Sequence, residues 1–450
     1  MANEKKAVIV GAGLVGALWA VFLAKRGYTV DVYERRSDFR QAGYIGGRSI
    51  NLALSERGWK AVEIACIREK IEKVAIPMPG RMMHGMDGSL TYQPYGQEGQ
   101  AIYSVSRGGL NIELVKIADE MDNVRFHFNQ ACLGVDLENS TARFQDTRTG
   151  VEYAIESDLI FGTDGAFSPV RQSLQKLPRF NYSQQYIESG YKELAILPND
   201  DGSHKMDTGA LHIWPRGNFM LIALPNTDGS FTCTLFLPFE GEVSFEKLQT
   251  EAQVLAFFEK YFPDIIPLMP SLVEDFMGNP TSALHTVRCN PWHYKHKILL
   301  IGDAAHAIVP FFGQGMNCGF EDCTILDSLM DKYEEHWPSI IEEFNANRPE
   351  DANAIADLAL LNFIEMRDKV ADPKFLLWKK VEKHLAEKFP AEFQSVYSMV
   401  SFSHVPYSQA LAAVAQQEEL FRRMLEINDL EKNWDGPEVE AVFQDWLKSN

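Results

Sequence analysis

The feature that most constrains the fold is a glycine-rich segment between two apolar runs. The first run, Ala7–Val10, leads into Gly11, Gly13 and Gly16, and the second, Thr29–Tyr33, follows about one helix later. This spacing is typical of a chain that turns sharply at the first glycine, approaches a pyrophosphate at the second and packs a helix tightly at the third. We therefore predict a strand, a tight turn and a helix that together bind a dinucleotide.

The helix after this turn is predicted from Leu14 to Arg26, and its N-terminus offers free N–H groups and a favourable dipole to a phosphate. Glu34 follows the second apolar run, where a carboxylate accepts hydrogen bonds from both ribose hydroxyls. A carboxylate at this position repels a 2′-phosphate. The site therefore suits FAD or NAD and disfavours NADP.

A second signal, far downstream, separates FAD from NAD. The apolar run Ile298–Ile301 is predicted to be a buried strand that ends at Asp303, close to where the ribityl chain of a flavin would lie. The loop Pro310–Asn317 then opens a helix predicted over Cys318–Lys332. The backbone N–H groups of residues 315–317, Gly315 to Asn317, can stabilise negative charge on the flavin ring.

A third segment lies between these two signals. The run Asp158–Gly162 leads to Asp164 and Gly165, with Ser168 and Arg171 behind them. An Asp-Gly pair alone indicates a turn, but here the three segments occur in the order that a single fold requires. We therefore predict that FAD is bound tightly and non-covalently, and that it is held by both ends of the domain.

The three segments resemble those of the FAD-dependent aromatic hydroxylases, which are single-component flavoprotein monooxygenases. Further blocks, spread over nearly the whole chain, are similar to the kynurenine-hydroxylating members of that family. These blocks are 48–55 (RSINLALS), 80–82 (GRM), 93–96 (QPYG), 211–215 (LHIWP), 362–366 (NFIEM) and 397–403 (YSMVSFS).

The resemblance implies an α/β fold with a Rossmann-like FAD-binding domain, an inserted antiparallel β-sheet substrate domain and a helical C-terminal region. Periodicity agrees, because alternating strands are predicted at 210–214, 218–224 and 231–239 and helices after about 330. The expected domains are residues 1–180 (FAD-binding, with about 75–105 contributing to the substrate sheet), 181–285 (sheet), 286–330 (FAD-binding) and 331–450 (helical, covering the active site).

The resemblance also implies the reaction. L-kynurenine would be hydroxylated to 3-hydroxy-L-kynurenine with NADPH as a transient co-substrate and O2, through a flavin C4a-hydroperoxide. This reaction belongs to tryptophan catabolism and to NAD biosynthesis through quinolinate. An aniline ring is already activated ortho to its amino group, so we expect neither an obligatory catalytic acid or base nor a metal. Whether NADPH is preferred to NADH, and where it docks, is not determined by the residues.

Polar partners are needed for the amino acid end of such a substrate. A guanidinium at Arg81 can bind a carboxylate bidentately, and the phenol of Tyr95 can add a further bond. The resemblance adds Asn362 and Tyr397 to this polar group. It places Pro310, Phe311 and Phe312 over the ring with Met366 beside it, although some relatives have His where this chain has Phe312. One face of the predicted sheet would form the apolar wall, from Leu211, Met220, Ile222, Leu224 and Phe236, together with Ile102.

The predicted cofactor site combines the residues argued above with those that the resemblance adds. Arg107 has a physical rationale as a cation near the pyrophosphate or the flavin, Cys132 would act through its backbone beside the adenine, and Asn51 would steady the ring. The full set is Gly11, Gly13, Leu14, Val15, Gly16, Tyr33, Glu34, Arg35, Arg36, Arg48, Asn51, Ala53, Arg107, Cys132, Asp164, Asp303, Gly315, Met316 and Asn317.

The net charge and the cysteine content exclude some classes of binding partner. A net charge of −19 argues against nucleic acid and anionic membranes. The six cysteines form no CxxC pair, which is typical of reduced thiols in a cytoplasmic protein. No signal peptide or membrane anchor is expected, and composition does not indicate an oligomeric state. Cys318 and Cys323 have the spacing of flavin disulfide reductases, but five residues along a helix do not share a face, so we expect packing thiols.

Three other functions compete with this interpretation. One is an aromatic hydroxylase for a phenol or benzoate, and another is a flavin-bound regulatory protein without turnover. The third is a flavin disulfide reductase, which would require Cys318.

Overall fold

Runs of strands with interspersed helices extend to Leu300, and the described residues after that point form helices and 3-10 turns but no strand. The structure, a computed structural model, describes residues 5–41, 50–96, 99–366 and 372–449. The strands of the described residues are β1 (Lys6–Val10), β2 (Thr29–Glu34), β3 (Asn51–Leu54), β4 (Ala75–Met78), β5 (Gly80–His84), β6 (Leu90–Pro94), β7 (Ile102–Ser106), β8 (Val124–Phe128), β9 (Gln130–Asp136), β10 (Thr141–Asp146), β11 (Glu152–Glu156), β12 (Leu159–Gly162), β13 (Asn181–Ile196), β14 (Ala210–Pro215), β15 (Met220–Pro225), β16 (Phe231–Pro238), β17 (Ser282–Asn290), β18 (His293–Tyr294) and β19 (Ile298–Leu300).

The α-helices of the same residues are α1 (Leu14–Lys25), α2 (Glu56–Ile64), α3 (Arg68–Glu72), α4 (Arg107–Asp119), α5 (Pro169–Leu174), α6 (Glu251–Tyr261), α7 (Leu272–Gly278), α8 (Asp303–His306), α9 (Gly315–Lys332), α10 (Trp337–Ile364), α11 (Pro373–Lys388), α12 (Val396–Ser401), α13 (Tyr407–Met424) and α14 (Pro437–Ser449). Short 3-10 turns lie at Phe245–Lys247, Ile266–Leu268 and Pro310–Phe312.

A six-stranded sheet carries the predicted dinucleotide turn. Its order is β18-β19-β12-β1-β2-β8, and every pairing among the last five strands is parallel. Apart from Lys6, the central strands β1 and β12 are buried, because α1 packs on β1 and β2, and the small sheet β11-β10-β9 packs on β2 through the stacked rings of Tyr33 and Phe144. The carboxyl ends of β1, β12 and β19 therefore meet at one edge, and α1, α8 and α9 begin there. Segments before residue 181 and after residue 285 thus share this sheet.

The second large sheet has seven strands in the order β17-β13-β16-β15-β14-β5-β6. All its pairings are antiparallel except that of β14 with β5, so the predicted antiparallel sheet contains one parallel neighbour pair. Of residues 75–105, only β5 and β6 join this sheet, because β4 and β7 pair with β3 in a separate three-stranded sheet. A further three-stranded sheet, β11-β10-β9, flanks the dinucleotide domain.

The two faces of the seven-stranded sheet have different roles. Trp214, Leu221 and Leu235 point to the back and form a core with α6 and α7. Residues one position away along the same strands point to the front, where α10 and the 3-10 turn at Pro310–Phe312 cover them. This alternation follows from the period of two in a β-strand.

Helices α10 to α14 form the C-terminal region. The 28 residues of α10 pack against α9 and α13, and α11, α13 and α14 share a core that includes Val381, Leu420 and Phe443. None of the helices in the described ranges combines the length and the apolar character that a membrane crossing requires. The predicted α/β fold with a helical C-terminal region is confirmed.

Candidate active site

The glycine-rich turn after β1 has the geometry that its sequence predicts. Gly11 has φ +102°, a conformation that favours glycine, and its N–H donates to the Tyr33 carbonyl oxygen at 2.8 Å. A Cβ at Gly16 would lie 2.1 Å from the Gly11 carbonyl oxygen, so α1 can approach β1 this closely only with a glycine. Gly13 is the N-cap of α1, no side chain caps it, and an added Cβ there meets nothing within 4 Å. Leu14 and Val15 then open the helix with backbone N–H groups suited to a pyrophosphate.

Glu34 lies beside this helix N-terminus and is 4% exposed. Its carboxylate accepts hydrogen bonds from the Ala12 N–H at 3.0 Å and from the Arg36 guanidinium at 2.7 Å. Burial alone would raise the pKa of Glu34, but the bonds and charge of Arg36 outweigh it and hold the pKa below its ordinary value. The carboxylate is therefore ionised at neutral pH and is an acceptor suited to ribose hydroxyls.

The residues predicted around the adenine differ in what they expose. The Tyr33 ring is buried between His127 and Phe144, with centroid distances of 4.5 and 4.1 Å, so only the Tyr33 backbone faces the nucleotide edge. Cys132 pairs with Phe144 in the neighbouring small sheet, and burial raises the pKa of its thiol to about 12. That thiol is therefore unreactive at neutral pH, in agreement with a backbone role. Arg35 is exposed.

The Asp-Gly segment meets the glycine-rich turn directly. The Thr163 N–H donates to the Val10 carbonyl oxygen at 2.9 Å, which continues the pairing of β12 with β1. One oxygen of Asp164 accepts from the Val170 N–H at 3.1 Å, and the other is buried with no hydrogen-bond partner in the described part of the chain. Burial raises the pKa of Asp164 to about 6. Gly165, at φ +81°, has no heavy atom within 4 Å of an added Cβ.

The downstream signal joins the same edge. The Ile301 N–H donates to the Gly162 carbonyl oxygen, and Gly302 follows with φ +63°. A Cβ at Gly302 would lie 2.9 Å from a Val15 methyl carbon, so this turn packs on the first turn of α1. Asp303 does not end the strand as expected, because β19 ends at Leu300. It begins the short helix α8, and its side chain is exposed.

Helix α9 begins at Gly315, three residues before the predicted start. Its N-cap residue, Gln314, provides no side-chain cap, so the first N–H groups of the helix remain available to an anion. The Asn317 side chain is fully buried and donates to the carbonyl oxygens of Ala53 and Gly313, both at 2.8 Å. Asn317 therefore fixes the loop with its amide and offers only its backbone to a cofactor. Met316 is 7% exposed and packs in the adjoining core.

Two other predicted cofactor residues lie beside the seven-stranded sheet. The Asn51 amide donates to the Ser104 hydroxyl at 3.1 Å and to the Asn226 side-chain oxygen at 2.8 Å. The carbonyl oxygen of that amide is buried and has no partner among the residues that the structure describes. Arg107 begins α4 and is exposed. Burial raises the pKa of the nearby Glu193 carboxyl, and the positive charge of Arg107 partly opposes that rise.

This edge fits a dinucleotide such as FAD. Three glycines, Gly13, Gly165 and Gly315, border it without close neighbours, and two helices point uncapped N-termini toward it. Two buried side-chain oxygens, on Asp164 and Asn51, lack partners in the described ranges and match a ligand that donates hydrogen bonds. Arg48 lies outside the described residues.

The predicted substrate residues form an aromatic stack beside this edge. The rings of Tyr95 and Tyr397 are parallel within 9° at a centroid distance of 5.1 Å, and Phe312 stacks on the other side of Tyr397 at 5.5 Å. Phe402 closes the edge of Tyr397 at 6.0 Å. Burial raises the pKa of Tyr397 to about 12 and also raises the pKa of Tyr95 well above its ordinary value. Both phenols are therefore neutral hydrogen-bond donors at physiological pH.

Arg81 lies at one end of the stack. Its guanidinium is 6.0 Å from the Tyr95 ring centroid, and its Nε donates to the Gln93 side-chain oxygen at 3.1 Å. Lys379 of α11 is close enough to Arg81 for the two positive charges to repel each other. Its ammonium group lies 2.8 Å from a Glu382 oxygen and 3.6 Å from a Glu365 oxygen. This end of the site is therefore strongly charged.

Asn362 and Phe311 link helix α10 to the 3-10 turn. The Asn362 amide donates to the Phe311 carbonyl oxygen at 2.7 Å and contacts the Met366 sulfur at 3.4 Å. The Phe311 ring stacks on Phe363 at 4.0 Å and contacts Phe236 of the sheet at 5.0 Å. The predicted residues of both elements thus meet in one apolar layer.

The sheet face predicted as an apolar wall does point toward this layer. Five of its members pack in the clusters that contain Phe311, Phe312 or Tyr95, and Ile102 lies with Leu224 and Met78 in the cluster of Tyr95. The five are Leu211, Met220, Ile222, Leu224 and Phe236. Pro310 begins the 3-10 turn that covers the wall.

Sequence reasoning missed several members of the site. Met83 and Ile213 share the wall because they lie two residues from Arg81 and Leu211 on adjacent strands, and the strand period would have identified them. Gln93 belongs to the site because it stands opposite Arg81 in the pairing of β5 with β6, and predicting it would have required that pairing. No local pattern indicates Lys379, because α11 is far away in sequence.

The two cysteines of α9 do not form a redox pair. Both are buried free thiols, and each contacts a different neighbour. Cys318 Sγ lies 3.2 Å from an Arg348 nitrogen, and Cys323 Sγ lies 3.6 Å from the Gly319 carbonyl oxygen. Burial raises the pKa of Cys323 well above its ordinary value. The geometry matches packing thiols and gives a disulfide reductase no support.

Comparisons with known proteins agree with this geometry. Residues 4–359 match the family model described as the FAD binding domain. The chain is 50% identical to kynurenine 3-monooxygenase of Christiangramia forsetii over 448 residues, with all of both chains covered. It is 49% identical over 449 residues to the enzyme of the same name from Flavobacterium psychrophilum, again with full coverage.

Solved structures show the same fold. The tetrameric form of 2-methyl-3-hydroxypyridine-5-carboxylic acid oxygenase superposes with a TM-score of 0.67 at 19% identity, over 82% of this chain and 95% of that one. HpxO of Klebsiella pneumoniae, complexed with FAD and uric acid, gives 0.65 at 17% identity over 84% and 92%. With the family match and the full-length relatives, the resemblance drawn from the motifs is confirmed: the chain belongs to the kynurenine 3-monooxygenase family of FAD-dependent aromatic monooxygenases.

Proposed function

We propose that this chain hydroxylates L-kynurenine to 3-hydroxy-L-kynurenine, consuming NADPH and O2 and releasing NADP+ and water. The observation that carries the proposal is the position of Arg81, Tyr95 and Tyr397 at one end of an apolar site that adjoins the dinucleotide edge. An aromatic amino acid has the matching shape, with a carboxylate at one end and a flat ring at the other. The names of the full-length relatives support the same substrate. The reaction would belong to tryptophan catabolism and to NAD biosynthesis through quinolinate.

The amino acid end of the substrate would bind at Arg81. A guanidinium binds a carboxylate through two parallel charged hydrogen bonds, which fixes orientation as well as position. Gln93 accepts from the Nε of Arg81, so the two outer nitrogens would bind the carboxylate. Tyr95 and Tyr397 would add neutral donors to the same carboxylate, because their raised pKa values keep the phenols protonated.

The aromatic ring would lie between the sheet wall and the turn that carries Phe311 and Phe312. These apolar surfaces would exclude water and restrict the ring to one plane, which would orient the carbon that reacts. Bound FAD would supply electron transfer from NADPH to O2 and the electrophilic oxygen that the ring receives. The uncapped start of α9 favours negative charge beside the wall. The amino group of an aniline activates the neighbouring ring carbon, so no side chain has to remove a proton to begin the reaction.

The test begins with the absorbance spectrum of the purified protein, which should have flavin bands. NADPH oxidation is then followed with and without L-kynurenine, and the product is identified by mass spectrometry as substrate plus one oxygen atom. We expect L-kynurenine to accelerate NADPH oxidation strongly and p-hydroxybenzoate to leave it at the basal rate. Acceleration by the hydroxybenzoate alone would assign the chain to another aromatic substrate, and a colourless protein that cannot be reconstituted with FAD would refute the proposal.

A further inference from the structure

A buried carboxylate on α9 accepts three hydrogen bonds from two other segments of the chain. Asp322 is fully buried, and its Oδ2 accepts hydrogen bonds from the Gly302 N–H at 2.8 Å and from His306 Nε2 at 2.7 Å. Its Oδ1 accepts from Arg348 Nε at 2.8 Å. His306 and Arg348 are 3% and 2% exposed. A carboxylate with three donors and no contact with water is costly to bury unless each bond is kept, so its surroundings are rigidly specified.

Two of the three donors bracket the residue predicted to bind the ribityl chain. Gly302 immediately precedes Asp303, and His306 ends the same short helix α8. Asp322 therefore holds both ends of the turn from which the Asp303 side chain projects. Gly302 also packs on Val15 at the start of α1, so the turn has little freedom to move toward the first half of the domain.

The third donor extends the connection to the N-terminus of α9 and to α10. Arg348 donates to the Cys318 carbonyl oxygen at 2.9 Å and lies 2.7 Å from Glu321. Glu321 pairs with the buried Arg57, whose guanidinium stacks on the Tyr407 ring at 3.9 Å. The Tyr407 hydroxyl donates at 2.9 Å to Gln314, the residue that precedes α9. The turn at Gly302–Asp303 and the start of α9, which both border the dinucleotide edge, are thus connected by bonds on the side away from that edge.

His306, Cys318 and Asp322 place donor atoms within 4.8 Å of one another, which raises the alternative of a metal site. The Arg348 guanidinium already contacts two of these groups, at 2.8 Å from Asp322 and 3.2 Å from Cys318 Sγ. It supplies the positive charge that a metal would bring. The cluster is therefore an ion-paired junction and not a metal centre.

We propose that Asp322 and His306 are positioning residues for the cofactor, which fix the Gly302–Asp303 turn against α9 so that the ribityl-binding carboxylate and the start of α9 are presented as one rigid unit. The proposal rests on the placement of FAD at Asp303. It predicts that changes behind the site alter the flavin itself, although neither residue reaches the cofactor edge.

The experiment uses purified holoenzyme and measures FAD release by flavin fluorescence on dilution, the absorbance spectrum and the flavin midpoint potential. Asp322→Asn should raise the Kd for FAD at least tenfold and shift the flavin bands, because an amide cannot accept from all three donors. Asp303→Asn provides the direct comparison. Asp327→Asn is the matched control: Asp327 lies on α9 like Asp322, but its partly buried ion pair is with Arg26 at the end of α1, so the Kd and spectrum of this variant should stay as in the wild type.

A second pair of variants decides the matter if Asp322→Asn does not fold. His306→Asn lacks an atom at the Nε2 position and should raise the Kd for FAD about tenfold, whereas His306→Gln reaches that position and should stay within about threefold of the wild type. Folded Asp322→Asn or His306→Asn protein with the Kd and spectrum of the wild type would overturn the proposal, provided that Asp303→Asn releases FAD. If Asp303→Asn also keeps FAD, the placement of the cofactor is wrong and the proposal falls with it.

Discussion

Replacing Arg81 by alanine tests the substrate end of the site most directly. The guanidinium is half-buried on β5, held by one bond to Gln93 and next to the Tyr95 ring, and within the described residues it has no hydrogen bond to a dinucleotide turn. Arg81→Ala should therefore weaken binding of L-kynurenine without loss of FAD. The KM should rise far more than kcat falls, because the carboxylate is remote from the ring carbon that reacts.

The size of the effect follows from the kind of bond that is lost. A hydrogen bond to a charged group contributes about 1.5–3 kcal/mol net, which corresponds to roughly 10- to 150-fold in binding. Arg81 is only half-buried, and water can solvate a carboxylate left without it, so we expect the lower part of this range. The expected rise in KM is thus about 10- to 30-fold.

The assay compares L-kynurenine with its decarboxylated analogue, which differs only in the missing carboxylate. The wild-type enzyme should prefer L-kynurenine by about the same factor that Arg81→Ala loses, and the variant should hardly distinguish the two compounds. Steady-state NADPH oxidation gives KM for both, and absorbance gives FAD content. Arg125→Ala, an exposed arginine on β8, is the matched control and should keep both the FAD and the preference.

The reasoning would be refuted by a variant that binds L-kynurenine more weakly yet still prefers it to the decarboxylated analogue. In that case another cation binds the carboxylate, and the loss at Arg81 reflects a disturbed sheet. An unchanged KM would exclude Arg81 from the site altogether.

Three further changes test other parts of the site. Tyr397→Phe keeps the ring stack and loses one neutral donor, so KM should rise about 2- to 10-fold, and since the pKa of Tyr397 is about 12, the wild-type KM should show no tyrosine ionisation below pH 10. Asn317→Ala removes two buried donor bonds and should lower the free energy of unfolding by about 3 kcal/mol, measured with denaturant. Asp164 has a raised pKa of about 6 against an ordinary 3.8, so the folded wild type binds the proton more tightly and loses stability as pH rises from 4 to 6. The advantage of Asp164→Asn in FAD-free protein should therefore grow over that interval to at most about 3 kcal/mol, and a pH-independent difference would contradict it.

The dinucleotide edge was predictable because its requirements are local. A positive φ at Gly11 and the contact of Gly16 with the preceding turn can be met only by glycine, so the sequence carries the geometry. The sheet wall was predictable for a similar reason, since the period of two puts Leu211, Met220 and Ile222 on one face.

Other features depend on contacts that no local pattern records. The parallel pairing of β14 with β5 joins segments that lack the usual crossover signature, so the sheet was expected to be antiparallel. The stack of Tyr95 on Tyr397 brings together residues that are distant in sequence, and resemblance alone indicated it. The burial of Asp322 could not be predicted, because a lone aspartate in a helical sequence usually faces solvent and its partners Arg348 and His306 are distant in sequence. The predicted start of α9 lies three residues after the observed one, because a glycine such as Gly315 usually indicates a loop.

The turn at Pro310–Phe312 connects the proposed substrate site to the proposed cofactor site through two hydrogen bonds. From the substrate side, Asn362 of α10 donates to the Phe311 carbonyl oxygen at 2.7 Å, and from the cofactor side, Asn317 donates to the Gly313 carbonyl oxygen at 2.8 Å. A ligand that shifted α10 would therefore also move the backbone that leads into α9. Because α9 has uncapped N–H groups at its start, we expect such a shift to change the charge environment at the dinucleotide edge. On this reasoning, occupation of the proposed substrate site would alter the absorbance spectrum of bound FAD, and Asn362→Ala would weaken that effect by removing the bond between α10 and the turn.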